Sequence, residues 1–284
     1  MAGEPSIRPA TPADLDPVRA LASAYGNLRD WPDRPDYLDH ELAAGRMLLA
    51  EDGAGLAGFA SALERDGVTH LADLFVRQDR LGQGVGRALL TAILPARGER
   101  MTFASADPRA LPLYARAGMR PVTPLLYLRG DRASAARLPN PGTATASAGP
   151  AAVADLDRHA AGRHRGADHA FLAAAGASGL LVGDGDRTLG YAWVRVPAGA
   201  GPGLEAFLGP LGASTEDDAR RVAIAAVRYA AARAQTVHVP LLGPHPALAP
   251  LLAAGFRVDD TDTFMASRVN LLDPRRYAPS PDLG

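Results

Sequence analysis

The stretch LADLFVRQDRLGQGVGRALL, from Leu71 to Leu90, changes character twice. Apolar and strand-forming residues run to Val76 and give way to the polar turn Arg77-Gln78-Asp79-Arg80. Glycines follow at 82, 84 and 86, and then Arg87-Ala88-Leu89-Leu90, a run of high helix propensity. The pattern predicts a strand, a tight loop and the start of a helix. Glycines there leave backbone N–H groups uncovered at the positive end of the helix, where a phosphate or pyrophosphate can take several hydrogen bonds and the dipole together. A dinucleotide fold calls for G-x-G-x-x-G near its first strand and an acid about twenty residues on, and a P-loop calls for Lys-Ser/Thr after the last glycine. Arg87-Ala88 stands at that place. Both nucleotide readings fail.

Working outward, 284 residues suit two domains of ordinary size, each able to bury a core. With 47% hydrophobic residues and a net charge of -1, the chain lacks the basic excess of a nucleic-acid binder. All 30 basic residues are Arg, which reads as codon bias in a GC-rich genome and excludes a Schiff-base lysine. Cysteine is absent, which removes disulfides, a thiol nucleophile and thiolate metal sites. His159, His164 and His169 are spaced so that successive members fall on different helix faces, which predicts a solvated helix and no metal site. The first residues have no signal-length apolar core, and no run reaches the roughly 18 apolar residues of a membrane span. A cytoplasmic protein with no membrane or nucleic-acid partner is expected.

In chain order, residues 6–10 read as a strand. Thr11 and Pro12 cap and open a helix from Asp14 to Ala24. The segment from Asn27 to His40 is irregular and aromatic. Residues 47–51 and 56–62 flank Asp52-Gly53-Ala54-Gly55, which is strong hairpin chemistry. Val68 to Val76 is the next strand. Residues 101–105 form a strand, Pro108 to Arg116 a helix, and Leu125 to Leu128 a closing strand.

Val76, the polar turn, Gly82-Gln83-Gly84-Val85-Gly86 and the helix from Arg87 together resemble the acetyl-CoA loop of the GCN5-related N-acetyltransferases (GNAT). The family's first loop position, usually Gln or Arg, is Leu81 here, which removes a side chain but no backbone donor. The opening strand and helix, and the element count to Leu128, fit one complete domain of that kind. The fold class expected is α/β (α+β), with two tandem GNAT folds, each a mixed, mostly antiparallel central sheet flanked by helices.

The second fold is suggested by recurrence. Asp14-Leu15-Asp16 returns as Asp155-Leu156-Asp157 (155 − 14 = 141), Gly58-Phe59 as Gly190-Tyr191 (190 − 58 = 132), and Gly118-Met119 as Gly255-Phe256 (255 − 118 = 137). The expected division is an N-terminal domain over 1–130, a linker over 131–150, a degenerate C-terminal domain over 151–272 and a partly ordered tail over 273–284. In the second copy a strand from Leu204 to Leu208 leads into Gly209-Pro210-Leu211-Gly212-Ala213-Ser214-Thr215, and then a helix from Glu216 to Ala234. Glu216-Asp217-Asp218 would repel a pyrophosphate and Pro210 removes a donor, so this half is expected not to hold the cofactor.

The resemblance implies the remaining roles. Acetyl-CoA is the co-substrate and no metal is needed. Pyrophosphate sits on the amides of Leu81, Gly82, Gln83, Gly84, Val85, Gly86 and Arg87, and the pantetheine arm pairs with Leu74, Phe75 and Val76 like an added strand. Asp73 stands where many members carry the acid that draws the amine's proton; the plain alternative is a local cap or pair. His70 falls on the opposite strand face from Asp73 unless a bulge intervenes. Tyr114, in Leu113-Tyr114-Ala115-Arg116-Ala117-Gly118-Met119, matches the tyrosine that gives a proton to the leaving sulfur; the plain alternative is ring packing. A cofactor-contacting Asn is replaced by Asp107, or by Ser105 in a shifted register. Leu251 replaces Tyr114 in the second copy. Trp31 and Tyr37 either line the acceptor pocket or pack on the domain edge. The function implied is acetyl transfer to a small-molecule primary amine by direct attack in a ternary complex, in a monomer or homodimer. A non-catalytic acyl-CoA sensor and a tandem synthase with one shared acceptor pocket remain as alternatives.

Overall fold

The structure is a computed structural model that describes residues 5–197 and 204–284. The first half runs β1 (Ser6–Pro9), α1 (Leu15–Ser23), α2 (Tyr37–Ala44), β2 (Arg46–Asp52), β3 (Gly55–Arg65), β4 (Val68–Val76), α3 (Val85–Ile93), β5 (Glu99–Ala104), α4 (Ala110–Arg116) and β6 (Arg120–Asp131). After α5 (Arg132–Ala136) the series repeats as β7 (Ala144–Ser147), α6 (Pro150–Ala161), α7 (Gly166–Ala174), β8 (Ser178–Asp184), β9 (Arg187–Arg195), β10 (Glu205–Ala213), α8 (Glu216–Ala231), β11 (Thr236–Leu242), α9 (Leu248–Ala253) and β12 (Arg257–Ala266). A short strand β13 (Tyr277–Ala278) has no counterpart.

The duplication is therefore present element for element. β4, β5 and β6 precede their copies by one common offset of 137 residues (205 − 68, 236 − 99, 257 − 120). The Gly118 and Gly255 match obeys it. The match at 141 does not mark equivalent positions: α1 buries Leu15 and Val18, whereas α6 buries Val153 and Asp157.

All strands join one sheet in the order β1-β2-β3-β4-β5-β12-β6-β11-β10-β9-β8-β7, with β13 beside β10. Neighbours are antiparallel except β4 with β5 and β10 with β11, so the sheet reads alike from both ends. The central strands are exchanged. β6 pairs with β11 from Thr236↔Asp131 to Leu242↔Leu125, and β12 pairs with β5 from Thr263↔Ala104 to Ala266↔Met101. β6 and β12 also pair with each other along their lengths. The strand expected to close the first half thus lies against the second, and it is longer than expected. Neither half completes its own sheet.

Three further expectations change. The stretch 131–150 carries α5, where Asp131 accepts from the Ser134 amide at 2.7 Å, and β7, paired with β8. A four-residue edge strand as short and small as Ala144-Thr145-Ala146-Ser147 alternates too weakly to stand out from a linker. The end of the chain is not loosely ordered, because Tyr277, Ala278 and Leu283 are buried. Within the aromatic segment, Asp36 and Asp39 form a reciprocal capping box that starts α2.

The histidines do not share a helix. His159 lies on α6 and is exposed, but His169 lies on α7 with no exposure. His169 Nδ1 accepts from Trp193 Nε1 at 3.0 Å, and its Nε2 lies 3.0 Å from Asp157. Asp157 also receives Arg165 at 2.6 and 2.9 Å and the Tyr191 hydroxyl. Burial alone would push its pKa up, but the Arg165 charge and the His169 contact hold it well below the usual carboxylate range. Between the halves, Asp168 joins His40 at 2.7 Å and Arg65 at 2.5 Å.

Two outcomes are expected. Asp157→Ala leaves Arg165 buried without its partner and costs about 3–5 kcal/mol in urea unfolding. Chains cut in the loop between α5 and β7 do not fold separately, but regain far-UV and near-UV circular dichroism when mixed.

Candidate functional site

β4 and β5 run parallel only as far as His70↔Met101 and then part. The cause lies on the other side of β4, where the pairing with β3 jumps from Ala62↔Leu71 to Ser61↔Asp73. Ala72 is the extra residue, and the bulge twists the strand away from β5. Beyond it, Asp73 to Val76 leave one backbone edge facing the gap. The gap leads to the glycine loop, where Gly82 and Gly84 hold left-handed φ of 76° and 87° that side chains resist. Gly84 caps α3 without a side-chain hydrogen bond, and the first turn holds no acid. Backbone pairing in the loop covers Leu81 and Gln83 and resumes at Ala88, so among the described residues the amides from Gly84 to Arg87 have no backbone acceptor. Arg87 is exposed and makes no ion pair among those residues, while Arg77 and Arg80 are held by Asp79 and Asp52. An extended arm ending in a pyrophosphate fits this edge and this helix start.

The second half repeats the parting of strands and fills it. β10 and β11 pair only to Phe207↔His238, and β13 then enters with Leu211↔Ala278 and Gly212↔Tyr277. A Cβ on Gly209 would stand 2.6 Å from the Pro279 carbonyl, so the chain's last residues pass directly over it. The expected loop at 209–213 is instead the end of β10, which continues past its own bulge between Leu208 and Leu211. The helix start is closed too. Thr215 Oγ1 accepts from the Asp218 amide at 3.1 Å, and Glu216, Asp217 and Asp218 occupy the first turn. By the common offset Pro210 stands for Asp73 and Leu251 for Tyr114.

Below the β4 gap lies a cavity of about 490 Å³ lined by residues of both halves. Asp73, 5% exposed, reaches it from the bulge. Glu41 stands behind, buried on α2, and accepts from Ser61 Oγ at 2.6 Å. Asp73 lies within side-chain reach of Glu41 and of the Tyr37 hydroxyl, so three buried polar groups answer one another at the cavity wall. Burial pushes the Asp73 carboxyl well up, and charge on Asp282 adds to it. Burial and then the Asp73 charge do the same to Glu41. Two carboxyls so placed do not ionise together at neutral pH.

Asp282, from the segment expected to be a tail, lines the same cavity and accepts from Trp31 Nε1 at 2.9 Å. Burial raises it to about 6. Asp262 of β12 is likewise pushed by burial to about 6 and accepts from the Tyr127 hydroxyl at 2.7 Å.

Of the residues singled out from sequence, Trp31, Tyr37, Asp73, Leu74, Phe75, Ser105 and Tyr114 meet at the cavity. Tyr114 is 8% exposed, and burial raises its pKa, so the hydroxyl keeps its proton. Asp107 points elsewhere and holds Arg109 at 2.5 Å. Val76 and residues 81–87 form the loop approach. The Val76 carbonyl receives the Tyr25 hydroxyl at 2.5 Å. The β4 bulge brings His70 to the Asp73 face, but its ring lies against Phe103 and Gly284, and no hydrogen bond joins it to Asp73. Sequence reasoning missed Glu41, Asp282 and Arg195; only the capping box of α2 could have flagged Glu41. No helix among the described residues is long and apolar enough to cross a membrane, and no group of three His, Cys, Asp or Glu is placed there to hold a metal ion.

The acetyltransferase (GNAT) family model matches residues 16–119, so the first half carries a domain of the GNAT family. Its fold is that of known members. The chain is similar to a candidate acetyltransferase from Pyrococcus horikoshii at 16% identity and a TM-score of 0.71, covering 99% of this chain and 96% of that one. It is also similar to a tandem GNAT protein from the clavulanic acid biosynthesis pathway (17%, TM-score 0.63, 93% and 98%). A third likeness is to a glucosamine N-acetyltransferase region in a fungal multi-domain β-N-acetylglucosaminidase (15%, TM-score 0.66, 94% of this chain and 38% of that one). At these identities the likeness is one of fold. No functionally curated protein matches the sequence.

The raised pKa of Asp282 has a stability consequence with a definite sign. The unfolded side chain titrates near pH ~4 and the folded one at about 6, so the folded state holds the proton more tightly. Stability from that proton is full below pH ~4 and is lost as pH rises through about 6. Asp282→Asn therefore gains roughly 1–3 kcal/mol over the parent at pH 8 and little at pH 4, read by guanidinium unfolding at both.

Proposed function

We propose that the chain is an acetyl-CoA-dependent N-acetyltransferase acting on the primary amine of a small molecule, with a single working site in the first half. One observation carries the reading: an open strand edge and an uncapped glycine-led helix lead to a cavity where two buried carboxyls, Asp73 and Glu41, stand side by side, while the equivalent slot of the second half is filled. That contrast is what a duplicated enzyme with one retained site requires. The cavity draws side chains from both halves, which favours one shared acceptor pocket.

Bound acetyl-CoA would supply an acyl thioester. The bare amides of Gly84 to Arg87 hold its pyrophosphate and the edge of Leu74 to Val76 aligns its arm. The amine arrives as an ammonium, and the carboxyl pair of Asp73 and Glu41 takes its proton and leaves a lone pair for direct attack. Tyr114 keeps a proton at its hydroxyl and gives it to the departing sulfur. Because the halves already pair within one chain, a monomer suffices.

Calorimetric titration with acetyl-CoA should give one site per chain. Two sites would mean the second half also binds, and none would sink the proposal. Asp73→Asn and Tyr114→Phe should keep that binding while turnover with an accepted amine falls about 10²–10⁴-fold. An acyl-CoA sensor would show binding and no turnover in any variant. Since burial raises the Asp73 pair, turnover should fall on the acid side at a pH above the ordinary carboxylate range, and Asp73→Asn should remove that limb.

A further inference from the structure

Arg195 ends β9 in the second half and is 9% exposed. Its guanidinium carbon lies 3.8 Å from the centre of the Trp31 ring and 5.0 Å from that of Phe207, and the side chain lines the cavity. The two other buried arginines donate to named acceptors: Arg165 to Asp157, and Arg163 to Met101 Sδ at 3.2 Å. Arg195 donates no hydrogen bond among the described residues, and no carboxylate there stands within ion-pair distance of it. Burial lowers its pKa to about 10, so it remains charged at neutral pH. The groups that face it are Asp282, Asp30 and Asp33, which act on it through space. A guanidinium that lines a cavity with no acceptor among the described residues presents a flat fork of N–H donors that matches a carboxylate. The Trp31 face fixes the plane of that fork.

Trp31 ties this cation to the acid end of the pocket. Its face carries Arg195 while its Nε1 donates to Asp282, whose charge reaches Asp73. A ligand that is only an anion is repelled by Asp30, Asp33 and Asp282. A ligand that is only a cation leaves Arg195 unanswered. A molecule with both charges satisfies both ends.

We propose that the acceptor carries a carboxylate besides its amine, as an amino acid does, and that Arg195 receives that carboxylate. The inference rests on the amine-acetylation reading and assigns the substrate class of the same site.

The test is calorimetric titration of the intact protein with matched ligands: α-amino acids and ω-amino carboxylates against their primary amides and the corresponding alkylamines. The same ligands are assayed for CoA release with acetyl-CoA. The carboxylate form of at least one pair should bind about tenfold or more tightly than its uncharged partner. Arg195→Gln should abolish that preference while leaving carboxylate-free amines within about twofold, and Arg195→Lys should restore part of it. Equal binding of acid and amide, no binding of any carboxylate form, or equal loss of both classes in Arg195→Gln would overturn the inference. The parent's own preference decides the matter if the variant does not fold. Selective, Arg195-dependent binding without CoA release would keep the inference and remove the acetyltransferase reading. Equal acetylation of amines with and without carboxylate would do the reverse.

Discussion

The hydrogen-bonding capacity of two strands, β6 and β12, organises everything else in this molecule. Each leaves a half whose parallel pair needs an outer neighbour, and each supplies that neighbour to the opposite half while pairing with the other at the centre. A strand edge without a partner costs unsatisfied backbone groups or invites association. Crossing the strands satisfies both halves together and makes one sheet from two copies. It also brings the two parted strand pairs to one cavity.

Symmetry of backbone and asymmetry of chemistry coexist. Both copies keep a bulge at the same place in their fourth strand, and both strands part from their parallel neighbour beyond it. In the first copy the bulge presents Asp73 and the gap is open; in the second it presents Pro210 and the gap holds β13. The helix starts diverge in the same sense. α3 begins on a glycine with bare amides, and α8 begins on a threonine cap among three acids. The chain that fills the second gap continues into the cavity and delivers Asp282 beside Trp31. Loss of one slot and completion of the other pocket come from a single segment.

The pocket's electrostatics follow from that enclosure. Carboxyls on α2, β4, β12 and the final segment share low-dielectric surroundings, and burial is the leading cause of the upward shift at each. The same burial pulls Arg195 down without discharging it. Acids near neutrality beside a fixed cation make a site that responds to the protonation state of what enters.

Much of this was legible in the chain. Glycine spacing and helix propensity specified the strand, loop and helix from Val68 to Ile93, because φ above zero and bare amides are local properties. The duplication showed at Gly118-Met119 and Gly255-Phe256, where a helix end demands glycine in both copies. Asp73 and Tyr114 were singled out by strand position and a short motif, and Trp31 and Tyr37 by the aromatic segment after the first helix; all four line the cavity. Strand exchange was not legible, since β6 and β12 carry the same pattern whichever half they join. Nor were Glu41, Arg195 and Asp282: each is an ordinary charged residue in sequence, and only packing against distant segments brings it to the cavity. The sequence by itself determined the local elements, the repeat and the glycine-led helix start; tertiary structure decided which half completes which, because pairing between strands more than a hundred residues apart is set by edges and burial and not by local propensity.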